Sequence, residues 1–414
     1  MSFAAISKKI DTYRDAVIEL ESGLTAIPAL SPSYEAPPEQ TGEARKVEFL
    51  KRYLASHGIT QLETIEAPDP AAPEGVRPSL IARVPGKSHE RTMWIMAHTD
   101  VVPPGDLEKW ESDPWKLRVD GDKIYGRGVE DNQQGLVSAV MVARALIELG
   151  ETPPCDLAIL FVADEECGSK FGIQHVLATA NPFRPNDLIF VPDGGAPDGT
   201  EIEIAEKSIM WIKFQLTGSQ CHASTPERGI NAMRAGAHLI VRLDEVLHRE
   251  FGDSDPVFAP PTSTFEPTKK LNNVPAINIV PGDDVFFLDC RVLPKYKLAD
   301  VIKRIDDACR AVEKELRVKV AYTFEQKEEA APPTPRDAPI VGLLERAVKA
   351  VYGVDGKAVG IGGGTVAANL RRKGLPCVVW SKMDETMHAP NENACISNIL
   401  GDAKVLAHVL YAGK

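Results

Sequence analysis

Two rhythms of apolar and polar positions alternate along the chain. From Gly42 to His57 apolar residues recur at helical spacing, with Val47, Leu50, Tyr53 and Leu54 on one side. Short apolar runs without alternation follow at Met93 to Ala97, Leu157 to Ala163 and Leu188 to Val191. Such runs predict strands covered on both faces. A long helix is predicted between the first two, from Gln133 to Leu149. Strand, helix, strand at this spacing predicts a doubly wound α/β sheet. At the N-terminus Ile6, Ile10, Tyr13, Val17 and Leu20 are separated by charges, which predicts an amphipathic helix rather than a signal peptide.

The middle of the chain has another order. Ile209 to Thr217 predicts a strand, and Asn231 to Glu250 a helix with Leu239, Ile240, Leu243 and Leu247 as its stripe. Ala276 to Val280 and Asp284 to Val292 predict two strands joined by a tight turn at Pro281-Gly282. Leu298 to Leu316 predicts a helix aligned on Val301, Ile302, Ile305 and Val312, and Val318 to Phe324 alternates as a strand. The order βαββαβ is the ferredoxin-like arrangement. The stretch EQKEEAAPPTPRDAP, Glu325 to Pro339, is rich in charge and proline and predicts a linker. Helix, strand and helix then return at Ile340 to Tyr352, Cys377 to Trp380 and Ser397 to Leu410. The simplest account is a compact module inserted into a larger mixed-sheet α/β domain. It gives residues 1–207 and 328–414 to the larger domain and 208–327 to the insert.

Composition narrows the function classes. The 414 residues are 43% hydrophobic, enough for a large core, and the net charge is −12. A chain so acidic lacks the basic face that nucleic acid or an anionic membrane surface requires. No stretch approaches the ~18 apolar residues of a membrane span. The seven cysteines are odd in number and form no C-x-x-C pair, which argues against a disulfide framework or thiolate zinc site and fits the reducing cytoplasm.

Candidate chemistry gathers after the apolar strands. His98 and Asp100 follow MWIMA; Asp164, Glu165 and Glu166 follow LAILFVA; Asp193 follows LIFVP; His388 lies shortly after VVWSKMDET. Asp131 ends the glycine-containing turn YGRGVED before the long helix. In open α/β sheets the ligand crevice lies outside the carboxyl ends of the strands. Each residue alone has a plain reading as a strand cap, a solvated loop acid or a turn former. Together they supply two imidazoles and at least three carboxylates, a set that borderline divalent metals accept.

The segments HTDVVP, GRGVEDNQQG, DEECGS, the strand-end Asp193, GSQCHASTP and MHAPNE resemble, in order and over nearly the whole chain, the aminoacylase, succinyl-diaminopimelate desuccinylase and carboxypeptidase G family of dinuclear metallopeptidases. The resemblance implies an inserted lid and dimerisation domain, and hence a homodimer. It implies two divalent ions per chain, zinc with cobalt or manganese as alternatives. Asp131 would bridge them, His98 and Asp193 would complete one, and Glu166 and His388 the other. A hydroxide shared by the ions would attack the amide, with Glu165 as general base and Asp100 orienting His98. The peptide between Asp131 and Asn132 would be cis. His222 would stabilise the oxyanion from the other subunit of the dimer. The charge arithmetic agrees, since three carboxylates and one hydroxide balance two divalent cations.

For the substrate's free carboxylate the resemblance points to Arg291, which can grip it bidentately, and to Asn273, which is similar to a family position near that carboxylate. The loop Gly362, Gly363, Gly364 and Thr365 opens a helix and could add backbone N–H groups. One departure concerns position 193, where many aminoacylases and carboxypeptidases of the family carry Glu. Asp there is more typical of the dipeptidase and aminopeptidase branch. The expected activity is hydrolysis of an N-acyl amino acid or short peptide, with a dipeptidase as the alternative. A binding module that kept the fold without catalysis is the remote one. Serine catalysis is disfavoured: no G-x-S-x-G elbow exists, and Ser138 falls within the predicted long helix.

Overall fold

The computed structural model describes residues 3–413. The chain forms two compact units. One contains the chain up to Ile204 together with Thr334–Ala358 and the part from Asn369 onward; the other contains Ala205–Pro333 and Val359–Ala368.

The larger unit is built on an eight-stranded mixed sheet. Its strands run, side by side, Gln61–Pro68, Val76–Val84, Cys155–Val162, Ser88–His98, Leu188–Val191, Cys377–Val379, Glu201–Glu206 and Lys357–Ile361. The four central strands from Cys155–Val162 to Cys377–Val379 are mutually parallel. Their apolar runs are buried throughout, as expected of strands packed on both faces. Even the indole of Trp94 is fully enclosed, and its Nε1 donates to Asp187 Oδ2 at 2.9 Å. The helix Gln134–Glu148 is buried on almost every side, and Ile396–Ala412 packs against it. A small sheet joins Asn393–Cys395, Lys123–Tyr125 and Arg118–Asp120.

The N-terminal stripe is not one helix. It breaks into Phe3–Ile10 and Arg14–Thr25. The Thr12 hydroxyl donates to Lys9 O at 2.7 Å and takes a carbonyl that a continuing helix would need. Ile6, Ile10, Tyr13, Val17 and Leu20 are nonetheless all buried.

The smaller unit has the order βαββαβ, with a four-stranded antiparallel sheet arranged Thr264–Lys270, Asp283–Val292, Ser208–Thr217, Lys319–Glu328. The helices Ala232–Glu250 and Leu298–Leu316 bury their leucine and valine stripes with this sheet, around a stacked Phe214–Phe286 pair 4.8 Å apart. The expected hairpin across Pro281-Gly282 does not form. Of Ala276 to Val280 only Ile279–Val280 is paired, with Cys221–His222, and Ile277 is fully exposed. The partner of Asp283–Val292 is instead Thr264–Lys270. That strand carries Pro267, Glu266, Lys269 and Lys270, a composition that hides it from a pattern search. It is an edge strand with a register shift beside the proline, where proline is tolerated. The expected linker is shorter, because the last strand continues to Glu328 and the next helix begins at Pro339. Among the described residues, no helix is long and apolar enough to cross a membrane.

Candidate metal centre

The parallel strands end together. Pairing sets His98 level with Val162, and the Thr99 N–H donates to Val162 O at 2.9 Å. His98 is thus the last residue of its strand, and Glu165 and Glu166 follow just beyond the neighbouring one. Asp193 lies two residues past Leu188–Val191. Asp131 sits in an irregular turn at the head of the helix Gln134–Glu148, and its peptide bond to Asn132 is cis. Two glycines permit this turn. Gly128 has φ +92°, and a Cβ at Gly135 would come within 2.3 Å of Pro192 O, so the helix start lies close against the strand end that leads to Asp193.

Five predicted side chains meet here in two groups that share one member. His98, Asp131 and Asp193 form one group, and Asp131, Glu166 and His388 the other, with ligand atoms of each group within 4.8 Å of one another. Asp131 Oδ1 is 2.8 Å from His98 Nε2, while Oδ2 is 3.1 Å from His388 Nε2. Each oxygen of one carboxylate therefore faces a different imidazole. His98 Nε2 is also 3.5 Å from Asp193 Oδ1, and His388 Nε2 is 3.1 Å from Glu166 Oε2.

The hydrogen bonds of His98 fit a cation in its group. His98 Nδ1 lies 2.9 Å from the Asp100 main-chain oxygen, which can only accept, so Nδ1 carries the proton. In the neutral ring that a ligand must be, the Nε2 lone pair faces the Asp131 and Asp193 oxygens, an arrangement that a divalent cation between them satisfies. The orienting contact of Asp100 is thus made by its carbonyl. Its carboxylate stands 3.6 Å from His98 Nδ1 and accepts the N–H groups of Glu165 and Glu166, both at 3.1 Å. The Glu165–Glu166 turn is fixed in this way to the end of the His98 strand.

Charge crowding perturbs every member. Burial alone would lower the His98 pKa, but Asp193, Asp100 and Asp131 hold it well above the usual imidazole value. Burial, aided by the charge of Asp193, pushes Glu165 well above the carboxylate range. Burial also raises Asp193, and raises Glu166 to about 7 against the pull of His388. Asp131 goes the other way: burial would raise it, but hydrogen bonds from His388 and His98 hold it low. Bound cations favour ionised carboxylates and neutral imidazoles, the forms a ligand set needs.

Some residues that shape this centre carried no visible signal in the sequence. Asn132 donates from Nδ2 to Asp193 Oδ1 at 2.6 Å. Glu392 is fully buried and accepts the N–H groups of Gly128, Glu130 and Asp131 at 3.0, 3.0 and 3.1 Å, and Arg127 at 2.6 Å. It ties down the turn that bears Asp131. Arg77, also buried, pairs with Glu43 and with Asp164 Oδ1 at 2.5 Å. Asp164 therefore does not join the centre with Glu165 and Glu166. Glu392 ends the segment MHAPNE, and its place in that segment was the one available clue.

The remaining candidates lie in the smaller unit. His222 is exposed, 2.7 Å from the Ser224 hydroxyl through Nδ1. Asn273 donates to Asp284 Oδ1 at 3.2 Å. Arg291 commits Nε and one terminal nitrogen to Asp289, at 2.7 and 3.1 Å, and the other terminal nitrogen to Gly362 O at 2.8 Å. Gly363 and Gly364 follow in an open loop, and Thr365 donates to Glu206 Oε1 at 2.5 Å. The helix after this loop, Ala367–Arg372, has six residues.

Comparison with known proteins decides the family. The profile of peptidase family M20/M25/M40 matches residues 94–412. A metallohydrolase of Methanococcus maripaludis, described as uncharacterized, is 37% identical over 420 residues, 96% of this chain and 99% of that protein. The chain belongs to peptidase family M20/M25/M40. With two metal-ligand groups in place, this family member is a metal-dependent hydrolase with a dinuclear-type centre. A succinyl-diaminopimelate desuccinylase of Cereibacter sphaeroides is 29% identical, over 78% of this chain and 83% of the relative. Among solved structures, human carnosine dipeptidase 1 shares the fold with a TM-score of 0.75 at 16% identity, covering 99% of this chain and 98% of that one.

Proposed function

We propose that this M20 family hydrolase cleaves the amide bond of an N-acyl amino acid or short peptide that carries a free carboxylate, in the manner of a desuccinylase-like deacylase. The observation that carries the two-ion part of this reading is Asp131, which turns one oxygen to His98 and the other to His388. His98 and Asp193 would complete one ion, and Glu166 and His388 the other. Zinc suits the set of two imidazoles and three carboxylates; cobalt and manganese are tolerated by it. When bound, the pair of ions lowers the pKa of a shared water and polarises the amide carbonyl.

The rest is the work of the chain. Glu165 is next in sequence to a ligand but belongs to neither ligand group. Its carboxylate can take the water's proton and deliver it to the leaving nitrogen. Asp100 keeps the proton of His98 on Nδ1 and leaves Nε2 free to bind. Arg291 has three of its five N–H groups engaged, which leaves two for a substrate carboxylate, with Asn273 and the Gly363, Gly364, Thr365 loop as further candidates. His222 is assigned to the oxyanion, supplied from the second protomer of a homodimer formed through the inserted unit. A cytoplasmic setting is consistent with seven free cysteines.

The desuccinylase relatives, which match over most of the chain, support the deacylase reading. A specific observation favours a second one. Asp193, shorter than Glu, is the residue typical of the dipeptidase and aminopeptidase branch. The test compares N-succinyl and N-acetyl amino acids with unblocked dipeptides on metal-loaded protein; preference for a free amino terminus moves the assignment to the dipeptidases. Glu165→Ala is expected to lower kcat by ~10²–10⁴ with both ions still bound. Full activity after exhaustive chelation would reject the reading altogether.

A further inference from the structure

We propose that Glu130 is a positioning residue for one ion of the pair only. It sets the loop that carries His388, so its loss disables the Asp131–Glu166–His388 group and leaves His98–Asp131–Asp193 able to bind. The proposal rests on the two-ion reading above.

The two groups are held by different means. His98 ends a strand paired on both sides, and Asp193 follows a strand paired on both sides. His388 lies in the irregular stretch between Cys377–Val379 and Asn393–Cys395. Three residues of that stretch, Glu385, His388 itself and Asn391, have φ of 60°, 60° and 63°, a region non-glycine residues rarely enter unless their surroundings hold them there. Glu130 holds the backbone on either side of Glu385, at the approach to His388. It is 1% exposed, and its carboxylate accepts the N–H groups of both Asp384 and Thr386. The Thr386 hydroxyl lies 2.8 Å from Glu130 Oε2 and accepts the Asn393 N–H at 2.9 Å. The loop has other side-chain ties: the buried Arg127 donates to Ala389 O at 3.4 Å, Asn391 donates to Lys109 O at 2.9 Å, and Asp384 meets Lys123 at 3.1 Å and the Cys395 thiol, but none of these reaches the N–H groups on either side of Glu385. Glu130 in turn donates its own N–H to Glu392 at 3.0 Å, next to the bond Glu392 makes with Asp131. Neighbouring residues of one turn thus serve two tasks: Asp131 faces both imidazoles, and Glu130 determines where the second imidazole stands.

Glutamine at 130 keeps the shape but offers one acceptor oxygen, and it sets an NH2 group against backbone N–H donors. Thr386→Val removes only the hydroxyl contacts and serves as the milder variant if Glu130→Gln does not fold. Metal-free wild type and both variants would be titrated with Co2+, following heat, the cobalt absorption spectrum and bound-metal content. The expected result is two ions in wild type, and in Glu130→Gln one ion at wild-type affinity with the second weakened ~10–100-fold. Thr386→Val should show the same split, smaller. A buried acid with a purely structural role would lower thermal stability without separating the two sites. Two ions at wild-type affinity in both variants, or equal weakening of both sites, would overturn the proposal alone. Fewer than two ions in wild type would overturn the two-ion reading and this proposal with it.

Discussion

The two ligand groups meet at Asp131 but sit in unlike surroundings. In one, the His98 side chain is 1% exposed and that of Asp193 11%; in the other, Glu166 is 6% exposed but His388 51%. The first stands on strand ends of a buried parallel sheet. The second is closed by a loop whose backbone the buried Glu130 holds on either side of Glu385. Stability is not uniform across a structure, and groups held by loops open at lower cost than groups held by core strands. The difference teaches that a shared carboxylate need not make two equivalent sites. The chain has one ligand group fixed by its core and one completed from its surface.

The sharpest way to break this comparison is to remove what the halves share. Asp131→Ala should abolish binding of both ions and all metal-dependent turnover, as read by bound-metal content and hydrolysis. Retention of one tight ion would show that the halves do not depend on a common ligand. Next in size is the paired loss of the unshared imidazoles. His388→Ala should release one ion and leave the other at near-wild-type affinity. His98→Ala should weaken its ion and also lower the thermal stability of the metal-free chain, because it empties a buried position. Equal effects of the two variants on stability would erase the distinction between core and surface.

The smallest effect concerns the ground under the buried half. Lys46 is buried beside Asp100, Glu43, Glu21 and Glu392, and burial outweighs their attraction and brings its pKa down to about 8 from 10.5. Below pH 8 the folded chain holds a buried ammonium at a cost. Between 8 and 10.5 the unfolded chain binds a proton that the folded chain has lost, so unfolding takes up a proton and stability rises with pH. The Lys46 contribution is on the order of 1–3 kcal/mol across that window. Denaturant unfolding of metal-free protein at several pH values would show the rise, and Lys46→Met should flatten it. A wild-type curve without that rise would place Lys46 in a solvated setting like that of the open half.

What could be read from the sequence divides along the same line. The strands Met93 to Ala97, Leu157 to Ala163 and Leu188 to Val191 were legible because burial on both faces leaves unbroken apolar runs. The polar residues after them could be placed near one crevice, because strand ends of a parallel sheet converge. Gln61–Pro68 and Thr264–Lys270 were not legible. Both pair on one side only and carry charges and proline, so exposure erased the apolar signal. Glu130 and Glu392 escaped notice for another reason. Each acts through backbone N–H groups more than 250 positions away, and such partners leave no mark on local pattern. Asp164 shows the converse: it shares a segment with Glu165 and Glu166, yet a left-handed turn at φ 63° directs it to Arg77.

The claim at the centre is that one carboxylate serves two cations. Anomalous diffraction from crystals of the zinc-loaded protein, collected on both sides of the zinc absorption edge, addresses it directly. The account predicts two peaks ~3.5–4 Å apart with one Asp131 oxygen on each, His98 and Asp193 on the first, and Glu166 and His388 on the second. A single peak, or two peaks with Asp131 bound to neither or to only one, would contradict it.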